Sequence, residues 1–116
     1  MNTYHDKAKL LKLLAHPMRL QILDLVRRSE ECVCHLSAVL DKPQPYVSQQ
    51  LAILREAGLI LDRKEGTNVF YGLGGKDVAN TLTAVLGALF ANPRTDAALG
   101  HERIAGCCCP KCTAEA

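Results

Sequence analysis

No stretch of the chain approaches the ~20 apolar residues that a membrane-spanning helix requires. The leucines near its start are broken by Lys7, Lys9 and Lys12 rather than fused into a secretory core. The expected location is therefore the cytoplasm, with no membrane partner. Net charge is scarce as well: 14 Lys and Arg against 12 Asp and Glu leave +2, too mild a surplus for charge alone to mark a nucleic-acid binder. No nucleophile–base pair and no open metal site with a general base can be picked out, which argues against an enzyme. At 116 residues the chain has no room for two large domains. Hydrophobic residues at 48% and charged residues at 22% supply one ordinary core, and a core so small gains from dimerisation.

Cysteine, by contrast, is abundant. Six in so short a chain would form a disulfide framework in a secreted protein. In the cytoplasm, reduced thiols for metal or redox chemistry are the expected use. Cys32 and Cys34 lie mid-chain, while Cys107, Cys108, Cys109 and Cys112 crowd the last ten residues.

Leu10, Leu11, Leu13 and Leu14 give a first helix, about Thr3 to Ala15, an apolar surface too wide for a lone exposed helix. Pro17 opens a second, Pro17 to Arg28, at the position where a missing N–H costs nothing. There Met18, Ile22, Leu25 and Val26 recur at helical spacing. After the break Ser29-Glu30-Glu31, a short third helix runs from about Cys34 to Leu40 and stops at Asp41-Lys42-Pro43. A fourth, from near Pro45 to Ala57, turns Val47, Leu51 and Leu54 inward, and Gly58 stands where a left-handed cap is expected. Leu59 to Lys64 and Val69 to Leu73, around Glu65-Gly66-Thr67-Asn68, read as a β-hairpin. Lys76 to Phe90 forms a last helix with Val78, Leu82, Val85, Leu86, Leu89 and Phe90 on one face, stopped by Asn92-Pro93. The order predicts a mainly α fold with a small β-hairpin, a winged helix-turn-helix. It also predicts a folded domain over 1–93 and a flexible cysteine-rich tail over 94–116.

Four segments in sequence resemble the ArsR/SmtB repressors. They are Leu14-Ala15-His16-Pro17-Met18-Arg19-Leu20-Gln21-Ile22-Leu23; Glu31-Cys32-Val33-Cys34-His35-Leu36; Gln44-Pro45-Tyr46-Val47-Ser48-Gln49-Gln50-Leu51 with Leu54-Arg55-Glu56-Ala57-Gly58-Leu59; and Arg63-Lys64-Glu65-Gly66 leading to Val69-Phe70-Tyr71. The resemblance covers about Ala8 to Phe90. It implies a homodimer in which the first and last helices of two subunits pack together. Two recognition helices would then enter successive major grooves, about 34–36 Å apart, on an inverted repeat of operator DNA.

A recognition helix needs polar side chains near its N-terminus for base edges and apolar ones behind to anchor it. Gln44, Tyr46, Ser48, Gln49 and Gln50 are the candidate readers; Gln pairs bidentately with adenine and Ser with several bases. Lys42, Arg55, Arg63 and Lys64 are the candidate phosphate contacts, with the wing pair Arg63 and Lys64 near the minor groove.

Thiolates are soft ligands suited to Cd, Pb, Zn, Cu(I) and trivalent arsenic or antimony. Cys32-Val33-Cys34 is similar to the motif that supplies two thiolates in arsenic- and cadmium/lead-responsive members of the family. The resemblance therefore implies a repressor that leaves its operator when such an ion binds. Spacing of i,i+2 puts the pair on different faces of a regular helix, so one ion can take both only if the helix start is irregular. Two thiolates are also too few, because such sites want three or four. Cys107, Cys108, Cys109 and Cys112 are the candidate donors. Either one or two of them join Cys32 and Cys34, or the four make their own cluster; coupling to DNA favours the first layout. The last helix carries Asp77 but no His before Phe90, which disfavours a zinc-only site there. The alternatives are a redox or sulfur-species sensor of the same fold, in which the thiols oxidise, and a thiol-rich metal buffer without specific DNA binding.

Overall fold

The computed structural model describes residues 3–90. The expected tail, with Cys107, Cys108, Cys109 and Cys112, lies outside the described residues. Within them the elements run α1 Tyr4–Leu14, α2 Pro17–Arg28, β1 Glu31–Cys32, α3 Val33–Leu40, α4 Gln44–Glu56, β2 Ile60–Glu65, β3 Asn68–Leu73 and α5 Lys76–Phe90.

Local chemistry sets these boundaries. The Thr3 hydroxyl accepts from the Asp6 N–H at 3.2 Å and opens α1. Pro17 occupies the first turn of α2, and Arg27 and Arg28 in its last turn suit the negative end of the helix dipole. α3 ends on Asp41 at φ 53°, a left-handed cap that an Asp tolerates. The Ser37 hydroxyl donating to the Lys42 carbonyl then closes a tight turn into α4. Gly58 at φ 79° ends α4, where a left-handed residue lets the chain reverse into β2.

The expected two-stranded hairpin is part of a larger unit. The sheet has three antiparallel strands in the order β1-β3-β2. β2 and β3 form the hairpin, with Ile60 opposite Leu73 and Glu65 opposite Asn68. β1 adds Glu31 opposite Tyr71 and Cys32 opposite Phe70. The strand starts on Glu31, the last residue of the break read from sequence, and two residues are too few for any alternation to announce it. At the base of the hairpin the Gly74 N–H donates to the Leu59 carbonyl at 2.9 Å. A side chain at 74 would put its Cβ 2.5 Å from the Gly58 carbonyl oxygen, so only glycine fits this backbone crossing.

α2 is the centre of the core: Ile22, Leu23 and Val26 are buried against Leu36 of α3, Val47, Leu51 and Leu54 of α4, and Leu82 and Leu86 of α5. Each fully buried aliphatic side chain of this size contributes about 1.5–3 kcal/mol, which fixes α3 and α4 on α2. The helix-turn-helix is thereby held as one rigid unit. On the last helix only Leu82 and Leu86 are buried; Val85, Leu89 and Phe90 are exposed, as is Leu11 on α1.

Candidate nucleic-acid interface and thiol site

α4 presents Gln44, Ser48 and Gln49 to solvent, and Tyr46 is half-buried against the core. Gln50 corrects the expected reader set. It is 7% exposed, and its Oε1 accepts from Arg19 Nε at 3.0 Å. The reason is helical geometry: Val47, Gln50, Leu51 and Leu54 follow the i, i+3, i+4, i+7 stripe that faces the core. A buried amide needs a partner, and Arg19 of α2 supplies it while also donating from Nη1 to the Leu13 carbonyl at the end of α1, at 3.4 Å. Arg19 thus ties three helices together. Sequence reading missed this role, although the periodicity of α4 already placed Gln50 on the wrong face for a base.

On the wing, Lys64 is exposed, whereas Arg63 is engaged on three sides. Its Nη2 and Nε donate to Glu30 Oε1 at 3.0 and 3.2 Å, and its Nη1 donates to Glu65 Oε2 at 2.9 Å. The guanidinium also lies over the Phe70 ring, 5.2 Å from its centroid. Hydrogen bonds to Glu30 and then Glu65 raise the Arg63 pKa above its ordinary value. Arg55, near the end of α4, pairs with Asp62 of β2 at 3.4 Å.

Cys32 and Cys34 are brought together. Cys32 is not helical: at φ −86° and ψ 163° it is extended, is the last residue of β1 and serves as N-cap of α3, its Sγ accepting from the His35 N–H at 3.4 Å. That irregular start swings its thiol onto the side of Cys34, and the two Sγ atoms lie 2.8 Å apart. Cys32 is buried and Cys34 partly so. Two sulfurs on one ion with bonds of about 2.3 Å sit roughly 3.8 Å apart in a tetrahedral site, so the pair would have to open by about 1 Å to share one ion. The N-terminus of a helix also favours anionic sulfur. Among the described residues no group of three or more His, Cys, Asp and Glu is arranged to hold a metal. Beside the pair, Glu31 and His35 form a second feature the sequence did not announce. Glu31 Oε2 and His35 Nε2 lie 3.3 Å apart with side chains 3% and 1% exposed.

A helical core carrying α3–turn–α4, followed by the β2–β3 wing, is a winged helix-turn-helix DNA-binding module. The family described as "Bacterial regulatory protein, arsR family" matches residues 16–61. A biofilm growth-associated repressor of Agrobacterium fabrum is 45% identical over 88 residues, 76% of this chain and 74% of that protein. The arsenical resistance operon repressor of Escherichia coli is 50% identical over 66 residues, 56% of each chain. Among solved structures, a homodimeric winged helix-turn-helix DNA-binding domain of Mycobacterium bovis, described as a possible ArsR-family transcriptional regulator, superposes with a TM-score of 0.64 at 31% identity. That match covers 86% of this chain and 87% of the other. The chain belongs to the ArsR family of DNA-binding transcriptional repressors, which are not enzymes. None of its described helices is long and apolar enough to cross a membrane.

Proposed function

We propose that the protein is a cytoplasmic, metal(loid)-responsive repressor that holds an inverted-repeat operator as a homodimer and releases it when a soft ion binds its thiolates. The observation that carries this reading is the 2.8 Å approach of Cys32 and Cys34 Sγ at the cap of α3, the short helix that leads into the reading helix. Gln44, Tyr46, Ser48 and Gln49 read the major groove; Lys64 and Arg63 meet phosphates at the wing. The exposed Leu11, Val85, Leu89 and Phe90 of α1 and α5 suit a subunit interface, in keeping with the homodimeric relative. Since two thiolates do not fill a soft-metal site, one or more of Cys107, Cys108, Cys109 and Cys112 complete it. Three thiolates suit As(III), Sb(III) or Pb(II), and four suit Cd(II) or Zn(II).

The test is to select an operator from a randomised duplex pool and titrate its complex with each of these ions under reducing conditions, recording thiolate-to-metal absorption. Release with the wild type and none with Cys32→Ser or Cys34→Ser supports the reading. Full release in both variants overturns it. The same short sulfur–sulfur distance favours a second reading, a redox or sulfur-species switch. That alternative is selected if an oxidant releases DNA, reductant restores binding, and the ions do nothing.

A further inference from the structure

The carboxylate of Glu30 stands where no base, phosphate or metal is expected to need it. It is the last residue before β1, its side chain lies across the sheet, and it meets the wing guanidinium of Arg63, 33 positions on, with the Nη2 bond at 3.0 Å and the Nε bond at 3.2 Å. The approach is built into the strand. A Cβ at residue 72 would lie 3.1 Å from Glu30 Cγ and 3.5 Å from its Oε2, so β3 carries a glycine beneath this side chain, where a strand otherwise gains from a larger residue. From the far side Phe70 supports the guanidinium plane. Glu65 takes the remaining Nη1. Two edges of the Arg63 fork are thereby turned toward protein carboxylates, while half of the side chain stays open to solvent.

Resting on the wing assignment proposed above, we infer that Glu30 is an internal competitor for the DNA phosphate: it holds Arg63 in the free protein and must surrender it when the wing docks. A phosphate and a carboxylate compete for the same edge of a guanidinium, and Glu30 Oε1 takes both the Nε and the Nη2 bonds of Arg63, so that edge cannot serve both. Glu30 is then a positioning residue that acts on DNA only through Arg63. Its place two residues before Cys32 sets it on the same segment as the thiol pair.

The experiment is a double-mutant cycle on the selected operator duplex at low salt, with Glu30→Gln, Arg63→Ala and the pair together. The expected result is that E30Q binds about threefold more tightly than wild type, as loss of one exposed ion-pair partner implies. R63A should bind more weakly, and E30Q should change nothing in the R63A background. If E30Q strengthens binding equally in both backgrounds, its effect is bulk charge and the competition is overturned. The competition is overturned as well if E30Q leaves affinity unchanged while R63A weakens it. R63A binding as tightly as wild type overturns the wing assignment, and the competition with it. Denaturant unfolding of each variant confirms that the folds being compared are equal.

Discussion

Arg19 Nε donates to Gln50 Oε1 at 3.0 Å, so a side chain of the reading helix that looks suited to adenine is engaged inside the protein. The bond joins α2 to α4, while Arg19 Nη1 reaches the last turn of α1. Replacing Arg19 by Met strands a buried amide oxygen and is expected to destabilise the fold by about 1–2 kcal/mol, read by urea unfolding. The paired change Arg19→Met with Gln50→Leu removes both polar partners and should return to within about 1 kcal/mol of wild type. Gln50→Leu should not alter the preferred operator sequence in a selection; a changed base preference would place Gln50 back at the DNA.

Cys32 caps a helix as well as carrying a thiol, and the two roles separate by substitution. Serine is a good N-cap. Cys32→Ser is therefore expected to keep the stability and operator affinity of the wild type while losing the response to ions. Cys32→Ala loses the cap too and should unfold at lower urea, by about 0.5–1 kcal/mol. Equal stability of the two variants would argue against capping by sulfur.

The Glu31–His35 contact is almost wholly out of water. His35→Ala removes this contact together with the packing of a wholly buried ring, and should destabilise by about 1–3 kcal/mol in urea unfolding. Because β1 and α3 both depend on this contact, its loss is expected to weaken operator binding alongside stability. A destabilisation under about 1 kcal/mol would show that the contact adds little to the fold.

Gly72 within β3 and Gly74 just after it give opposite expectations. At Gly74 an added Cβ meets backbone, the Gly58 carbonyl oxygen at 2.5 Å, and Gly74→Ala should cost about 1–3 kcal/mol, seen as a lowered midpoint in thermal unfolding. At Gly72 the added Cβ meets Glu30 Cγ at 3.1 Å, the flexible part of a side chain that can swing aside. Gly72→Ala should therefore fold nearly as well as the wild type while disturbing the Glu30–Arg63 contact.

The helices were legible because their apolar residues are periodic and their ends are punctuated: α2 and α5 have the very bounds that Pro17, Gly74-Gly75 and Asn92-Pro93 suggest. The wing was legible from its β-branched and aromatic residues around Gly66. β1 was hidden because two residues carry no period, and with it the extended start of α3 that joins the thiols. Gln50 carries adenine-reading chemistry, but its place on the core stripe of α4 turns that amide inward. The pairs Glu30–Arg63 and Arg19–Gln50 are separated by 33 and 31 residues. Such long-range partners are chosen by the packing of α2 and the sheet, and nothing local in the chain names them.

The backbone crossing of Gly74 over Gly58 has a mechanical meaning. It pins the end of the reading helix and the approach to α5 at one point, from which the wing projects through six-residue strands. A strand of that length spans roughly 20 Å. β1 clamps the inner half of the hairpin at Tyr71 and Phe70, so the end of α4, the sheet and the hairpin tip turn as one piece: a tilt of about 5° at the crossing sweeps the tip through about 2 Å, comparable to the span of a hydrogen bond. Small rotations at the end of α4 are thus magnified at the tip of the hairpin.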